Sequence, residues 1–404
     1  MSSKDRRPRV VIVYKSFPQY RRSFYAGLRE ECARRGIDLQ LVHGQATAAD
    51  LAKGDSISLP WATQVRNRFL RVGGRQLIWQ PVWRLVRGAD LVIVEQASKL
   101  LVNYVLQASY LLTGRPPFAL WGHGRNFQHE SASPAGERVK RFLSRHVRWW
   151  FAYNDTSAAV VRSLGMPSER VTSVQNAIDT RGLVAARSRV SDQSLAALRA
   201  SLALRGDNVG IYAGGMYEEK RLPFLLASCL LIRKEVPDFE MVFLGAGTHA
   251  DLVRRAAEEH PWIKYLGPVF DEAKVPYFAL AKTFLMPGLV GLAVLDAFAL
   301  EVPLVTTAID YHSPEVEYLI DGVNGMVVRD TDDPRSYASA VVTLLRDASL
   351  RERLKAGCRV ARQRYTVEEM ITRFADGIVN ALARPRNEGT ETVYDGNAST
   401  MSEV

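Results

Sequence analysis

Two glycine-bearing stretches, about seventy residues apart, combine the residue types that bind phosphate. The first, residues 212–221, reads YAGGMYEEKR, and the second, residues 286–298, reads MPGLVGLAVLDAF. Each follows an apolar run and precedes an apolar helical pattern, so main-chain N–H groups and a helix N-terminus would face a ligand. A helix N-terminus supplies about half a positive charge, and Lys220 supplies a full one. The pattern predicts a site for an anionic, sugar-bearing nucleotide.

The charged residues of these stretches have separate expected roles. Lys220, with Arg221 beside it, is placed to neutralise the charge that builds up on a departing nucleoside diphosphate. Asp296 lies a little over one turn into its helix, where a carboxylate accepts hydrogen bonds from the vicinal hydroxyls of a ribose or sugar. The alternatives are structural: solvated first-turn residues for the two cations, and a dipole contact worth less than about 1 kcal/mol for Asp296.

Two segments of the first half end in residues that suit an active site. Residues 118–125, FALWGHGR, read as a strand that runs into His123 between two glycines. Residues 16–22, SFPQYRR, follow the first strand, and we expect Tyr20, Arg21 and Arg22 to face the same cleft and to recognise an acceptor phosphate. An ordinary helix entry is the alternative for this loop.

Strand-like and helix-like segments alternate almost throughout, which predicts an α/β protein with parallel sheets covered by helices. This alternation of strands and helices is interrupted at residues 180–207 and begins again at Val209. We therefore predict two Rossmann-like doubly wound domains facing a central cleft, over residues 1–180 and 181–345. Helical patterns at 346–384 are expected to pack back on the first domain, and the polar tail 385–404 is expected to be disordered.

The positive charge is confined to the first half of the chain. Residues 1–180 hold 27 Lys and Arg against 13 Asp and Glu, whereas the chain as a whole has a net charge of +10. Much of this charge lies with Trp and Phe in residues 66–87 and 138–150, a pattern typical of surfaces that meet anionic lipid headgroups. A solvated helix face covered by arginine stems is the alternative. No recognised motif supports nucleic-acid binding.

The sequence offers no signal-peptide core and no run long enough to cross a bilayer. The expected location is therefore the cytoplasm, with possible contact at the inner face of the membrane through the basic first domain. The cysteines have no metal-ligand spacing.

The two stretches, together with residues 174–179 (VQNAID) and 317–325 (EYLIDGVNG), resemble the GT-B retaining glycosyltransferases of family 4. The resemblance covers roughly residues 170–330 by motif and the first half by topology. It implies transfer of a sugar from a nucleotide sugar with retained configuration and without a catalytic metal. No cofactor is implied beyond the co-substrate, for which a UDP- or GDP-sugar is expected.

The resemblance also assigns residues. Lys220 matches the phosphate-binding lysine, Asp296 the second acid, Asn176 the hinge asparagine, and Glu317 the late glutamate, with Glu315 as a near rival. His123 matches a histidine near the donor sugar, so we expect it to hydrogen-bond that sugar or the reacting centre. The full donor set expected from motif and resemblance is Gly214, Gly215, Lys220, Arg221, Gly288, Leu289, Val290, Gly291, Leu292, Asp296, Glu315 and Glu317.

Two positions depart from the family pattern. The family arginine falls on Gly215, and the first acid, which helps to hold the donor sugar, falls on Gly288. We expect main-chain N–H groups of residues 289–291 to grip the sugar instead, and Arg221 to replace the guanidinium.

The leading interpretation is a glycosyltransferase acting on a lipid-linked glycan in cell-surface polysaccharide synthesis. The alternatives are a nucleotide-sugar epimerase on the same architecture and a non-catalytic binding protein that has lost activity at Gly215 and Gly288.

Overall fold

The computed structural model describes residues 6–45, 59–73, 75–124 and 142–384. The predicted disordered tail and the basic residues Arg138, Lys140 and Arg141 lie outside the described residues.

The first domain is built on a sheet with all its neighbouring strands parallel, and the described part of this sheet has the strand order β3-β2-β1-β6-β7-β8-β9. The strands form because their residues are apolar on both faces, as a sheet covered on both sides requires; Val10, Val11, Ile12 and Val13 are all at most 1% exposed. The strands of this domain are β1 Arg9–Tyr14, β2 Asp38–Gly44, β3 Thr63–Val65, β4 Arg68–Val72, β5 Arg75–Trp79, β6 Leu91–Glu95, β7 Phe118–Gly122, β8 Trp149–Ala152 and β9 Val171–Ser173.

Helices cover both faces of that sheet, and they are α1 Arg22–Arg34, α2 Trp83–Val86, α3 Leu101–Thr113 and α4 Asp155–Ser163. The linker to the second domain holds α5 Arg181–Ser188, which the sequence analysis missed, and α6 Asp192–Ser201. Helix α6 begins at a capping box between Ser191 and Ser194.

The second domain repeats the plan with parallel strands in the order β12-β11-β10-β13-β14-β15. Its strands are β10 Asn208–Ala213, β11 Phe239–Leu244, β12 Ile263–Tyr265, β13 Thr283–Leu285, β14 Leu304–Thr307 and β15 Gly325–Val328. Its helices are α7 Leu222–Glu235, α8 Ala250–Glu259, α9 Val275–Leu280, α10 Ala293–Leu300 and α11 Pro334–Arg346. The predicted two-sheet α/β architecture is confirmed.

The last two helices, α12 Ala348–Arg364 and α13 Val367–Ala383, pack on different domains. Helix α12 lies against α10 and α11 of the second domain, while α13 lies against α1, β8 and β9 of the first. The aromatic ring of Phe374 stacks on Phe151 and meets Phe24 and Trp121 edge to face. Only α13 therefore crosses back to the first domain.

The basic segment at residues 66–87 is mainly a β-hairpin rather than a helix. Strands β4 and β5 pair antiparallel, apart from the main sheets. The second basic segment differs from expectation as well. Trp149 and Trp150 are 4% and 0% exposed because they belong to strand β8, which lies between β7 and β9, and Arg148 is buried against the carbonyls of Ala381 and Arg384. Residues 147–150 are therefore core, whereas Phe142 and Arg145 are exposed.

Candidate functional site

The two glycine stretches meet where the order of strands in the second sheet reverses. Strands β10 and β13 are neighbours, so the loops that follow them leave the same edge of the sheet side by side. The carbonyl of Glu219 in the first loop accepts the N–H of Leu289 in the second, at 2.8 Å. Such a reversal opens a crevice at the carboxyl ends of the strands, which is the usual ligand site of open α/β sheets.

Lys220 lies at the junction of these loops. A short 3-10 helix, Glu218–Lys220, turns the chain so that the lysine side chain is only 6% exposed. Its Nζ donates to the carbonyl of Leu289 and lies 5.5 Å from the centre of the Tyr217 ring. Burial lowers the pKa of Lys220 to about 8, although the nearby Glu219 charge raises it in part. Among the described residues Lys220 forms no ion pair, so its ammonium is a buried charge that a bound anion would stabilise.

Arg221 does not point the same way as Lys220. Its backbone is left-handed, with φ of +54°, and this turns the guanidinium toward Thr307 and Asp332, at 3.4 and 3.2 Å. The guanidinium also stacks over Phe224. The expectation that Arg221 replaces the family arginine stays a prediction, and in this conformation the guanidinium is engaged elsewhere.

Close backbone approach explains why Gly288 carries no acidic side chain. A Cβ at this position would lie 2.4 Å from the carbonyl oxygen of Glu219 and from the carbonyl carbon of Lys220. The turn that carries Lys220 therefore fills the space that a side chain would need. Gly215 is different, because a Cβ there meets only the ring of Tyr217, at 2.7 Å.

Gly214 belongs to a second close contact. A Cβ on Gly245, in the loop after β11, would lie 2.0 Å from the Gly214 carbonyl oxygen. The Gly214 N–H in turn donates to the carbonyl of Leu244, at 3.0 Å. The glycines at 245 and 247 thus let the loops after β10 and β11 pack together.

Two N–H groups of the loop between β13 and α10 already donate hydrogen bonds within the second domain. Leu289 donates to Glu219, as above, and Val290 donates to Nδ1 of His312, at 3.0 Å. Among the described residues Gly291 donates to none, so it is the member of this group that is left for a sugar. Leu292 precedes α10 as its N-terminal cap residue.

His312 is a site residue that the sequence analysis missed. It is 7% exposed, and its Nε2 lies 2.7 Å from the Thr307 carbonyl, which fixes the tautomer that leaves Nδ1 free to accept from Val290. Burial lowers the pKa of His312, so the neutral ring is favoured. Its spacing of 22 residues from Val290 follows no motif, and only the folded loop brings the two together.

Asp296 forms an ion pair that the sequence did not indicate. Its Oδ2 accepts from Nζ of Lys274 at 2.6 Å, and both side chains are largely buried, at 13% and 15% exposed. Its other oxygen, Oδ1, is buried and has no hydrogen-bond partner among the described residues. Lys274 therefore holds the carboxylate in one orientation and leaves one oxygen to accept from a ligand hydroxyl.

This pair yields a test that separates folding from binding. We expect D296A to lower the free energy of unfolding by about 3 kcal/mol, because it leaves Lys274 buried without a counter-charge. The double variant D296A/K274M should recover most of that stability, measured by urea unfolding, yet bind UDP and GDP weakly by calorimetry. Wild-type nucleotide affinity in the double variant would show that Asp296 has only a structural role.

Glu315 and Glu317 lie on a 3-10 helix, Pro314–Tyr318, and both contact the first domain. Glu315 accepts from Nδ2 of Asn176, and Glu317 accepts the N–H groups of Asp155 and Thr156 at the start of α4, at 3.0 and 2.7 Å. Asn176 also accepts from the Tyr318 hydroxyl at 3.2 Å. Ser313 precedes this helix without capping it by its side chain, although the run Ser313-Pro314-Glu315 is typical of a helix start. The glutamates thus join the domains beside the hinge asparagine, and their contact with a donor stays a prediction.

His123 lies where the first sheet ends, at the carboxyl end of β7. Its ring meets that of Tyr153 edge to face, with centres 4.1 Å apart. Burial, together with the Arg21 charge, lowers the pKa of His123 to about 4. At neutral pH the imidazole is uncharged, so it can hydrogen-bond a sugar without adding charge.

Of the three residues expected to recognise an acceptor, one is buried and two are exposed. Arg21 is 1% exposed, lies 5.0 Å from the ring centre of Trp121, and donates to the sulfur of Met370 at 3.6 Å. In this conformation it is a packing residue held by aromatic faces. Tyr20 and Arg22 remain exposed beside it.

Glu95, at the carboxyl end of β6, is a further residue that the sequence analysis did not select. It is paired in register with Trp121, so it lies next to the end of β7 that leads to His123. Burial raises its pKa, against the opposing effect of Lys15. Its Oε2 is buried without a hydrogen-bond partner among the described residues.

The described part of the chain contains neither a metal-ligand cluster nor a membrane-spanning helix. Within it, no group of three or more His, Cys, Asp or Glu is arranged to hold a metal ion. In the same residues, no helix combines the length and the apolar character needed to cross a bilayer.

Known proteins are similar to parts of this chain. Residues 207–347 match the family model described as glycosyl transferases group 1. Over 143 residues the chain is 28% identical to a phosphatidyl-myo-inositol mannosyltransferase of Mycolicibacterium smegmatis, covering 34% of this chain and 36% of the relative. Over 175 residues it is 24% identical to spore coat protein SA of Bacillus subtilis, covering 39% and 44%. The chain thus spans well under two thirds of these curated relatives.

Solved structures share the whole architecture. The Anabaena protein Alr3699/HepE in complex with UDP superposes with a TM-score of 0.67 at 16% identity, over 92% of this chain and 99% of that one. Sucrose-phosphate synthase of Thermosynechococcus elongatus gives 0.65 at 14% identity, over 93% and 100%. Two facing Rossmann-like domains with a nucleotide crevice in the second define the GT-B class. The whole chain has this fold, and its residues 207–347 resemble the glycosyl transferases of group 1.

Proposed function

We propose that this protein transfers a sugar from a nucleotide sugar to an acceptor hydroxyl, with retention of configuration and without a catalytic metal. The observation on which this rests is Lys220, a buried ammonium without an ion-pair partner among the described residues, held where two glycine loops meet. A nucleoside diphosphate leaving group supplies the missing negative charge.

The proposed reaction uses these residues. The bond between the anomeric carbon and the diphosphate oxygen breaks, and a bond to the acceptor oxygen forms on the same face of the sugar. The acceptor proton passes to the departing diphosphate, whose charge Lys220 and the N-terminus of α10 stabilise. Asp296 orients the ribose through its unpartnered oxygen, and the neutral His123 hydrogen-bonds the transferred sugar.

The acceptor is expected on the first domain, where Tyr20, Arg22 and His123 lie at the carboxyl edge of the sheet. We infer a lipid-linked glycan at the cytoplasmic face of the membrane, as in cell-surface polysaccharide synthesis. Two names support the choice of substrates. One relative is a phosphatidyl-myo-inositol mannosyltransferase, and the Anabaena structures hold UDP and UDP-glucose. A UDP- or GDP-sugar is therefore the proposed donor.

The proposal is tested by thermal unfolding with a panel of UDP-, GDP-, ADP- and dTDP-sugars. A true donor at 100 times its dissociation constant should stabilise the fold by about 2.7 kcal/mol. Failure of every nucleotide and nucleotide sugar to shift the transition would refute the proposal. Conversion of the bound donor without any acceptor would identify an epimerase instead, and binding without turnover of any acceptor would favour the non-catalytic alternative.

A further inference from the structure

One outer surface of the first domain is both apolar and basic. We call it the hairpin surface, and it consists of the hairpin β4–β5, the short helix α2 and the outer side of α3. On the hairpin, Phe69, Leu70 and Val72 are 39%, 47% and 60% exposed, and Trp83 of α2 is 42% exposed. Phe69 lies on one face of the hairpin and Leu70 and Val72 lie on the other, because successive strand residues alternate between faces. Both faces of the hairpin thus expose large apolar side chains, which mark an interaction site.

Helix α3 contributes an apolar stripe to this surface. Its residues 101–113 include no charged side chain, whereas a surface helix normally turns charges to water. Tyr104, Val105, Leu111 and Leu112 are exposed, Leu112 at 85%, and their spacing places them on one face of the helix. The opposite face, with Val102 and Leu106, packs into the domain. Nothing in the described chain covers the outer stripe.

The charge of the hairpin surface has one sign. Residues 59–89 contain six arginines and no Asp or Glu. Arg66, Arg68 and Arg71 are exposed, so they lie among the exposed apolar side chains. Hairpin and helix are joined, because the N–H of Ile78 donates to the carbonyl of Lys99 at 2.8 Å, just before α3. The basic hairpin therefore adjoins the helix whose outer face carries the apolar stripe.

We propose that the hairpin surface docks on an anionic phospholipid bilayer, with its apolar side chains in the boundary between headgroups and acyl chains and its arginines on the lipid phosphates. Surfaces of this composition bind membranes through buried apolar area plus attraction to anionic lipid. The arginine charge is complementary to lipid phosphates. The uncharged stripe on α3 favours a bilayer over nucleic acid, which would offer that stripe no apolar partner.

The hairpin is held firmly at the edge of the sheet that faces the cleft. Nδ2 of Asn67 donates to the carbonyl of Lys15 at 2.9 Å, and Nε2 of Gln80 donates to that of Tyr14 at 3.1 Å. Both amides are buried, and they fix the two ends of the hairpin beside the end of β1. A docked bilayer would present lipid-borne acceptors near that edge. This consequence rests on the proposed function, whereas docking does not.

Vesicle binding tests the proposal without donor or acceptor, so its result is independent of any transfer activity. The full chain is sedimented with vesicles of phosphatidylcholine, alone or mixed with phosphatidylglycerol. We expect binding to the mixed vesicles that weakens as salt rises. R68Q/R71Q should lower the partition coefficient about 30-fold, at about 1 kcal/mol per arginine. L111S/L112S should lower it about tenfold or more, and both pairs are exposed, so folding should be unaffected.

The matched control is R205Q/R353Q, which removes two exposed arginines from the second domain and should leave vesicle binding unchanged. The proposal is overturned if the mixed vesicles do not bind, if the control loses as much as R68Q/R71Q, or if both hairpin-surface variants bind like wild type. It is also overturned if light scattering shows that Leu111 and Leu112 instead support a dimer, or if the protein binds RNA through Arg68 and Arg71 but not the vesicles.

Discussion

Replacing Lys220 by methionine is expected to reduce kcat/KM for sugar transfer by about 10²–10³-fold, the loss typical of removing one preorganised group that stabilises leaving-group charge. Methionine fills a similar volume beside Met286 and removes a buried charge, so K220M should be at least as stable as wild type at neutral pH. A large loss of activity without loss of stability is the signature of a buried charge kept for its ligand. The measurement pairs initial rates with urea unfolding.

The control for this change is K234M, which removes an exposed lysine from α7 in the same domain. It should leave both rate and stability unchanged. Wild-type rates in K220M would remove the central support for the proposed function.

The pKa of Lys220 adds a pH signature to the same prediction. Burial lowers that pKa to about 8, and transfer requires the charged form. We therefore expect kcat/KM to fall as the pH rises above about 8. K220R should remove this alkaline limb, because a guanidinium stays charged. Stability depends on pH in the opposite direction. Between the pKa of the unfolded lysine and the folded pKa of about 8, the unfolded chain binds the proton more readily, so the free energy of unfolding decreases as the pH falls through this range. K220M should remove this pH dependence of stability.

Replacing Gly288 by alanine is expected to damage both fold and site. The added Cβ would meet backbone atoms of Glu219 and Lys220 at 2.4 Å, and backbone cannot rotate away as a side chain can. We expect a loss of about 3 kcal/mol of stability and loss of UDP and GDP binding, because the turn that carries Lys220 must move. Thermal unfolding and calorimetry measure the two effects.

G215A is the matched control, since its Cβ meets only the flexible Tyr217 side chain. It should cost less than about 1 kcal/mol and keep nucleotide binding. The same geometry predicts that G288E will not restore the acid of the family pattern. Stable, nucleotide-binding G288A would show that the loops separate more easily than the structure indicates.

Most of the sheet could be predicted because parallel strands covered on both faces are continuous apolar runs. The sequence pattern predicts a strand over residues 91–95 and a helix over residues 250–259, and the structure has strand β6, Leu91–Glu95, and helix α8, Ala250–Glu259, with those bounds. The hairpin β4–β5 was missed although Gly73 and Gly74 form a two-residue turn signal between strand-like runs. The arginines of this segment predicted a charged surface instead of paired strands. The arginines near Trp149 likewise predicted a surface position for that residue, which lies in the core.

The partners of the site residues could not be predicted, because they are far apart in the chain. Lys274 reaches Asp296 across 22 residues, and Glu317 reaches the start of α4 across 162 and 161. No periodicity or motif links such pairs. Only the order of strands in each sheet and the packing of the domains bring them together.

The sequence by itself determined the two-sheet α/β fold, the place of each glycine loop after a strand, and the presence of Lys220 and Asp296 beside those loops, because apolar periodicity and glycine positions are local properties. The tertiary structure decided the rest. It buried Lys220 and so lowered its pKa, paired Asp296 with Lys274, engaged Glu315 and Glu317 across the domains, and excluded a side chain at Gly288. Burial, charge pairing and steric exclusion depend on neighbours that are distant in sequence, so only the folded chain specifies them.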